Sequence, residues 1–157
     1  MEGDLLRIGR HRATLAEVEE TFVYRAPFVH ERKVLWEAFS VYRSLIGRYL
    51  PSVRYWINGG FATHKAWAPP DDIDVCVIAP PADYEAAGPV LFDLFTDTGP
   101  PRVQPMSGLV DAFPMPGGLK EDGAYWYDLW SQVRGADGNR DYSRSKGFLE
   151  VMPDEHQ

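Results

Sequence analysis

The stretch INGGFATHKAWAPPDDIDV, residues 57–75, decides how this chain is read. It opens on Ile57-Asn-Gly-Gly60, runs for eleven residues, and closes on Asp72-Ile-Asp-Val75. Residues two apart on a strand project to the same face. If a strand begins near Asp72, that residue and Asp74 stand side by side while Ile73 and Val75 turn into a core. Two carboxylates that close repel and raise one another's pKa unless a cation intervenes. Magnesium, a hard cation that takes one or two carboxylates plus substrate phosphates, is the natural partner. Gly59 and Gly60 supply the other half, because glycine lets the backbone approach a ligand closely and adopt positive φ. Amide groups exposed after such a turn suit phosphate oxygens. Thr63 offers a hydroxyl nearby, and Lys65 a point charge that could reach the phosphates.

Working outward, the strand after the carboxylates is Ile73 to Ala79, an apolar and β-branched run read as central to a sheet. The strand before the glycines is Val53 to Ile57. A third strand, Gly108 to Phe113, carries Asp111 among apolar neighbours and is expected to break at Pro114 and Pro116. An unpaired charge there is costly. Beside Ile73–Ala79, Asp111 would join Asp72 and Asp74 in a two-metal clamp that stabilises attacking and leaving oxygens.

Plainer readings stand beside these. Asn58-Gly59 between apolar residues is also a hairpin-turn signal. Asp71-Asp72 after two prolines can also be a solvated turn, with only Asp74 in the strand. Asp111 can instead pair with a nearby arginine or mark the strand's exposed end. Lys65 is by default a solvated lysine.

The strongest helix spans His30 to Leu50, with Leu35, Ala38, Phe39, Tyr42, Leu45, Ile46 and Tyr49 on one face and Pro51 as its stop. Thr14-Leu-Ala-Glu17 is a capping box opening a short helix to about Thr21. Ala82 to Phe95 reads as a helix interrupted at Gly88-Pro89, and Thr96 to Pro105 as a loop. Ala124 to Arg134 has helical spacing, Gly135 to Ser145 reads as an exposed loop, and Gly147 to Val151 as a last strand. The expected fold class is therefore α+β, a mixed β-sheet flanked by helices, in a single domain over 1–157. Residues 1–27 form a strand and helix extension, and 153–157 a frayed tail.

With 157 residues, 45% hydrophobic and 25% charged, the chain is long enough and apolar enough to fold on its own core. Its 16 basic and 23 acidic side chains leave a net charge of −7, which argues against a broad DNA-binding surface but not against a local basic patch. Arg140, Arg144 and Lys146 form a modest basic loop, ordinarily solvated, which could guide an RNA end or pyrophosphate. Cys76 is the sole cysteine and is read as a small buried strand residue. No signal-like stretch opens the chain and no apolar run approaches a membrane span, so a cytoplasmic protein is expected. His64 is read as a surface residue. His11, His30 and His156 lack metal-ligand spacing. The tryptophans are core or interface material, although Trp36 and Trp67 could stack a base.

The pattern Gly59-Gly60, Asp72-Ile73-Asp74-Val75 and a later strand-borne Asp111 resembles the signature of the DNA polymerase β-like nucleotidyltransferase superfamily. INGGFATHK, DDIDV and KGFLEV further resemble small bacterial and phage nucleotidyltransferase-like proteins. The resemblance covers about residues 10–152 in outline and is specific only over Gly59–Val75. Many members have serine at the position of Gly60, so a hydroxyl that could touch phosphate is missing here.

The resemblance implies a nucleotidyltransferase-type fold and two Mg2+ ions, or Mn2+, on Asp72, Asp74 and Asp111. It also implies transfer of a nucleoside monophosphate from a nucleoside triphosphate to an acceptor hydroxyl, with release of pyrophosphate. The acceptor would be a protein, an RNA end or a small molecule. The alternative it implies is an antitoxin or regulatory binding protein, paired with a toxin-type partner and turning over little or nothing.

Overall fold

Ile73–Ala79 lies where its sequence asks. In the computed structural model this strand, β3, sits between two neighbours in a five-stranded mixed sheet, and all of it except Asp74 is buried. The structure describes residues 1, 3–117, 132–134 and 136–152. Ten elements follow in chain order: β1 (Arg10–Ala13), α1 (Leu15–Glu19), α2 (Val29–Gly47), β2 (Arg54–Asn58), β3 (Ile73–Ala79), α3 (Pro81–Ala87), β4 (Val110–Pro116), β5 (Gln132–Arg134), β6 (Arg140–Ser145) and β7 (Phe148–Val151). The main sheet has the order β1-β7-β2-β3-β4. β1 runs parallel to β7 and β3 parallel to β4, whereas β2 is antiparallel to both β7 and β3.

The alternation of side chains divides the sheet into two faces. Tyr55, Ile57, Ile73, Val75, Val77, Val110, Ala112, Leu149 and Val151 face the main core, where they meet Leu35, Phe39, Tyr42 and Ile46 of α2. The Tyr42 hydroxyl donates to the Leu94 carbonyl at 2.8 Å, and the Tyr84 hydroxyl donates to the Val77 carbonyl. These bonds tie α2 and α3 to their surroundings. The opposite face carries Asp74, Cys76 and Ile78 of β3 and their lateral neighbours, with a smaller cluster of Trp56, Cys76, Ile78, Met115 and Phe148. Cys76, the sole cysteine, is buried.

The expected α+β class, with a mixed sheet and helices, is observed. The capping box is present, Thr14 accepting from the Glu17 amide and Glu17 from the Thr14 amide. α2 ends at Gly47 rather than Leu50. Pro51 disfavours helical backbone at Leu50, and the last turn loosens into separate bonds from Arg48, Tyr49 and Leu50 to Leu45 and Ile46.

Several expectations are corrected. Pro114 and Pro116 do not end β4. It is the edge strand, where a residue without an N–H can point its ring outward. Gly88, at φ 67, ends α3, and Gly88–Leu94 continues as a 3-10 helix rather than as α-helix. Arg140–Ser145 is not loop but β6, antiparallel to β5 around a turn in which Asp137 accepts from the Asn139 amide and Gly138 has φ 82. Within the helix expected over Ala124–Arg134, residues 132–134 are strand β5, and the remainder lies outside the described residues, as does the 153–157 tail. The 1–27 stretch holds a strand and a helix, as read from the sequence: β1 is an edge strand of the sheet, and Val18, Phe22 and Val23 are core. Among the described residues no helix is long and apolar enough to cross a membrane.

Candidate metal and phosphate site

Strand register creates the site. Asp74 lies opposite Asn58 on β2 and opposite Asp111 on β4, so three neighbouring strands present polar groups at one level of one face. Asp72 has the same parity, just ahead of β3. Oxygen atoms of Asp72, Asp74 and Asp111 all lie within 4.8 Å of one another, the one such group of potential metal ligands found among the described residues. The parallel pairing of β3 with β4 is what brings Asp111 in, as its sequence position required.

The glycine turn closes the other side. Gly59 has φ 73 and ψ −167, a conformation essentially reserved to glycine. A Cβ built there would stand 2.4 Å from Asp74 Oδ2. A Cβ on Gly60 would stand 2.8 Å from Lys65 Nζ, so Lys65 lies directly over the second glycine. Both glycines therefore keep backbone close to charged side chains. We expect Gly59→Ala to displace the Asp74 carboxylate, cost about 1–3 kcal/mol from backbone strain, and remove divalent-cation binding. Urea unfolding with and without Mg2+ measures both effects; an unchanged Mg2+ response would count against the turn as part of the site.

Electrostatics set the state of Asp74. Burial, first, and then the charges of Asp72 and Asp111 push its carboxyl up to about 8; a hydrogen bond with Asp72 adds to the rise, and Lys146 opposes it. Without a cation, Asp74 therefore holds a proton near neutrality. Lys146 is buried, its ammonium donating to the Gly59 carbonyl at 3.5 Å.

The remaining carboxylates are held by the loop before β4. Arg102 Nη2 donates to Asp111 Oδ1 at 2.8 Å and to Oδ2 at 2.6 Å. The Thr96 hydroxyl donates to Asp111 Oδ1 at 2.7 Å while accepting from the Ala112 amide. Gln104 donates to Asp72 Oδ2 at 2.8 Å. Asp111 thus has the arginine partner that the plainer reading supplied, and also lies in the carboxylate group. Nothing in the sequence of the Thr96–Pro105 loop marked Arg102 or Gln104 for this position.

Thr63 and His64 serve the loop. The buried Thr63 hydroxyl donates to the Gly60 carbonyl at 2.7 Å, so it shapes the turn from within. His64 is not a free surface residue. Its Nε2 lies 2.7 Å from the Thr21 carbonyl, its ring meets the Phe22 edge, and its amide donates to Asp4. Trp36 is buried with its ring stacked on Phe61, which leaves Trp67 as the exposed indole of the two.

Beneath the turn lies a residue that the sequence pattern did not single out. Arg32 of α2 is fully buried, and its guanidinium donates to the carbonyls of Pro27, Phe22, Phe61, Gly60 and Thr63. Three of those acceptors belong to the 60–63 turn. Burial lowers its pKa to about 10, so it remains charged at neutral pH.

A mostly apolar cavity of about 700 Å³ is lined by Tyr84, Leu91, Phe92, Phe95, Thr96 and Pro114. Pro114 alternates away from Asp111 along β4, and among the lining residues Thr96 is the one that bonds Asp111.

A family of unknown function, DUF6932, matches residues 1–152, nearly the whole length of the chain. The chain belongs to DUF6932. The carboxylates, the glycine turn and the buried arginine all fall inside the matched span. No curated protein and no solved structure matches the DUF6932 chain.

Proposed function

We propose that this DUF6932 protein is a metal-dependent nucleotidyltransferase that moves a nucleoside monophosphate from a triphosphate to an acceptor hydroxyl. The observation that carries the reading is the convergence of Asp72, Asp74 and Asp111 within 4.8 Å, facing a turn at Gly59 that admits no side chain. Mixed sheet, glycine turn before the carboxylate strand and a parallel third-carboxylate strand agree with the resemblance to the DNA polymerase β-like superfamily.

The residues fit a pair of Mg2+ ions, or Mn2+. All the donors are hard oxygens, and the carboxyl of Asp74, raised by burial and then by the charges of Asp72 and Asp111, is one that a cation would favour in its ionised form. Asp72, Asp74 and Asp111 would hold the ions. When bound, they supply charge stabilisation at the attacking and leaving oxygens of the displacement. The chain supplies the rest. Gly59 and Gly60 present backbone to the triphosphate, and Lys65 places a positive charge over Gly60. An Asp111 oxygen accepts the proton of the acceptor hydroxyl as its oxygen bonds to the α-phosphorus. The bond from that phosphorus to the bridging oxygen breaks, and pyrophosphate leaves. The acceptor is a protein, an RNA end or a small molecule.

Arg102 favours a second reading. Its two bonds to Asp111 already neutralise the third carboxylate, as would suit a regulatory or antitoxin-like protein that pairs with a toxin-type partner and does not turn over. Thermal unfolding with Mg2+ and each nucleoside triphosphate separates the two. At about a hundred times its Kd a ligand adds roughly 2.7 kcal/mol, which raises Tm by roughly 5–10 °C in a chain of this size. The enzyme reading expects that rise in wild type and pyrophosphate release with a suitable acceptor. A rise only in Arg102→Gln supports the second reading, and no rise in either sinks the triphosphate site.

A further inference from the structure

The face of the sheet that carries the carboxylates has a second charged feature, of the opposite sign. Glu150 of β7 is fully buried, and its carboxylate accepts from the Trp56 indole at 2.9 Å. Three arginines converge on it from the two flanking strands. Arg12 Nε lies at 3.3 Å and Arg10 Nη1 at 3.5 Å, both from β1, and Arg54 Nη1 of β2 lies at 3.9 Å. Their side chains are 44% (Arg10), 72% (Arg12) and 38% (Arg54) exposed, whereas that of Glu150 is 0% exposed. Among the described residues no second carboxylate pairs with them. One buried charge therefore answers three guanidinia, each with five donors of which few are used. The result is a solvent-facing surface of net charge about +2 on a protein of net charge −7.

Register ties this surface to the site. Glu150 lies opposite Trp56, and Asn58, two residues further along β2, lies opposite Asp74. Arg10 lies opposite Phe148, toward the carboxylate end. Lys146, two residues before Phe148, reaches the Gly59 carbonyl. Positive groups thus run along one face from Arg12 and Arg54, past Arg10, to Lys146 beside the carboxylates. β1 and β2 lie two strand spacings apart, roughly 10 Å, and their arginines lean in over β7, Arg10 Nη1 and Arg54 Nη1 both approaching Glu150 Oε2. Along the strands the positive groups are spread out: Arg12 and Arg10 are two residues, roughly 7 Å, apart on β1, and Lys146 lies beyond Phe148, the partner of Arg10. Such a run matches a chain of phosphates better than one small anion.

We propose that Arg10, Arg12 and Arg54 bind the phosphate backbone of a single-stranded nucleic acid and lead it toward Asp72, Asp74 and Asp111. The ligand is single-stranded because the patch is narrow and the protein is otherwise acidic, while a duplex draws on a broad basic surface. Its role as acceptor rests on the transferase reading; the binding surface itself does not. Glu150 gathers the three arginines over one buried carboxylate and neutralises part of their charge.

The test is fluorescence anisotropy of a labelled octauridylate RNA in EDTA, with the full chain, across a salt series. For single strands three phosphate contacts give a log–log salt slope of about −2, and one contact about −0.7. Wild type is expected near the first value and Arg12→Gln/Arg54→Gln near the second, with affinity at low salt reduced about tenfold or more. Glu150→Gln, which keeps an acceptor for the Trp56 indole, is expected to bind severalfold tighter. Circular dichroism confirms that each variant is folded.

Equal affinity in wild type and the double-arginine variant overturns the proposal. So does equal or better binding of the duplex of the same length, or arginine-dependent binding of inorganic pyrophosphate without binding of the RNA. Asp74→Asn is expected to keep RNA binding in EDTA. Absence of any Mg2+-triphosphate response in the wild-type protein, with RNA binding intact, therefore marks failure of the transferase reading and not of this one.

Discussion

At pH 8 and without divalent cations, Asp74→Asn is expected to be more stable than the wild-type protein. The carboxyl of Asp74 is raised from 3.8 to about 8 in the fold, chiefly by burial and then by Asp72 and Asp111. Between those values the native state holds a proton that the unfolded chain has released. Stability therefore falls as pH rises, and the contribution present below about pH 4 is lost by the time pH passes 8. A tenfold change in proton affinity is worth about 1.4 kcal/mol, so the effect across the window is on the order of a few kcal/mol. Asparagine carries no charge at any pH and removes the slope. Urea unfolding from pH 5 to 8.5 in EDTA reads the difference between the two proteins, since other titrating groups cancel. Parallel curves would show that Asp74 is not held protonated. Adding Mg2+ reverses the order at pH 8: wild type gains stability and the variant does not, because the cation supplies the missing countercharge. Under the transferase reading the same substitution abolishes turnover.

The parts of the fold that were legible in the sequence are those where local pattern and tertiary environment agree. Ile73–Ala79 is apolar on both faces because β3 is covered on both faces, and its limits are those read from the sequence. The His30–Leu50 stripe placed α2 to within a few residues. What failed depended on position within the sheet. Pro114 breaks a central strand but not an edge strand, and nothing in residues 108–116 states which β4 is. Arg140–Ser145 is polar, and pairing with β5 makes it strand without an apolar face to announce it. Of the site, the carboxylates and glycines were legible because i, i+2 parity and a glycine pair are local signals. Arg102, Gln104 and Thr96 reach the carboxylates from a loop whose sequence carries no periodicity. Arg12, Arg10 and Arg54 form a cluster only because β7 lies between β1 and β2.

Arg32 is a charge set within an apolar helix stripe. It lies three residues before Leu35 and seven before Phe39, on the apolar stripe of α2, where a charged residue has to be paired. Its partners are backbone carbonyls, which no side-chain pattern shows. Arg32→Met fills most of the space but leaves the carbonyls of Phe22, Phe61 and Thr63 buried with fewer donors. Each lost partner costs about 1–3 kcal/mol, so we expect destabilisation on the order of 4 kcal/mol by urea unfolding. Arg32→Lys keeps the charge but not the fork, since an ammonium cannot serve acceptors spread over Pro27, Phe22 and the 60–63 turn together. An intermediate loss of stability is expected for it, with the fold retained. The lysine variant is the informative one for function. If the turn is the phosphate cradle, its Mg2+-triphosphate response weakens at least tenfold even where the protein is fully folded, because Gly59 and Gly60 lose the anchor that fixes them against Asp74. A folded Arg32→Lys with an unchanged response would show that the glycine turn holds its shape without the arginine. It would leave the guanidinium as a support of α2 against the N-terminal segment alone.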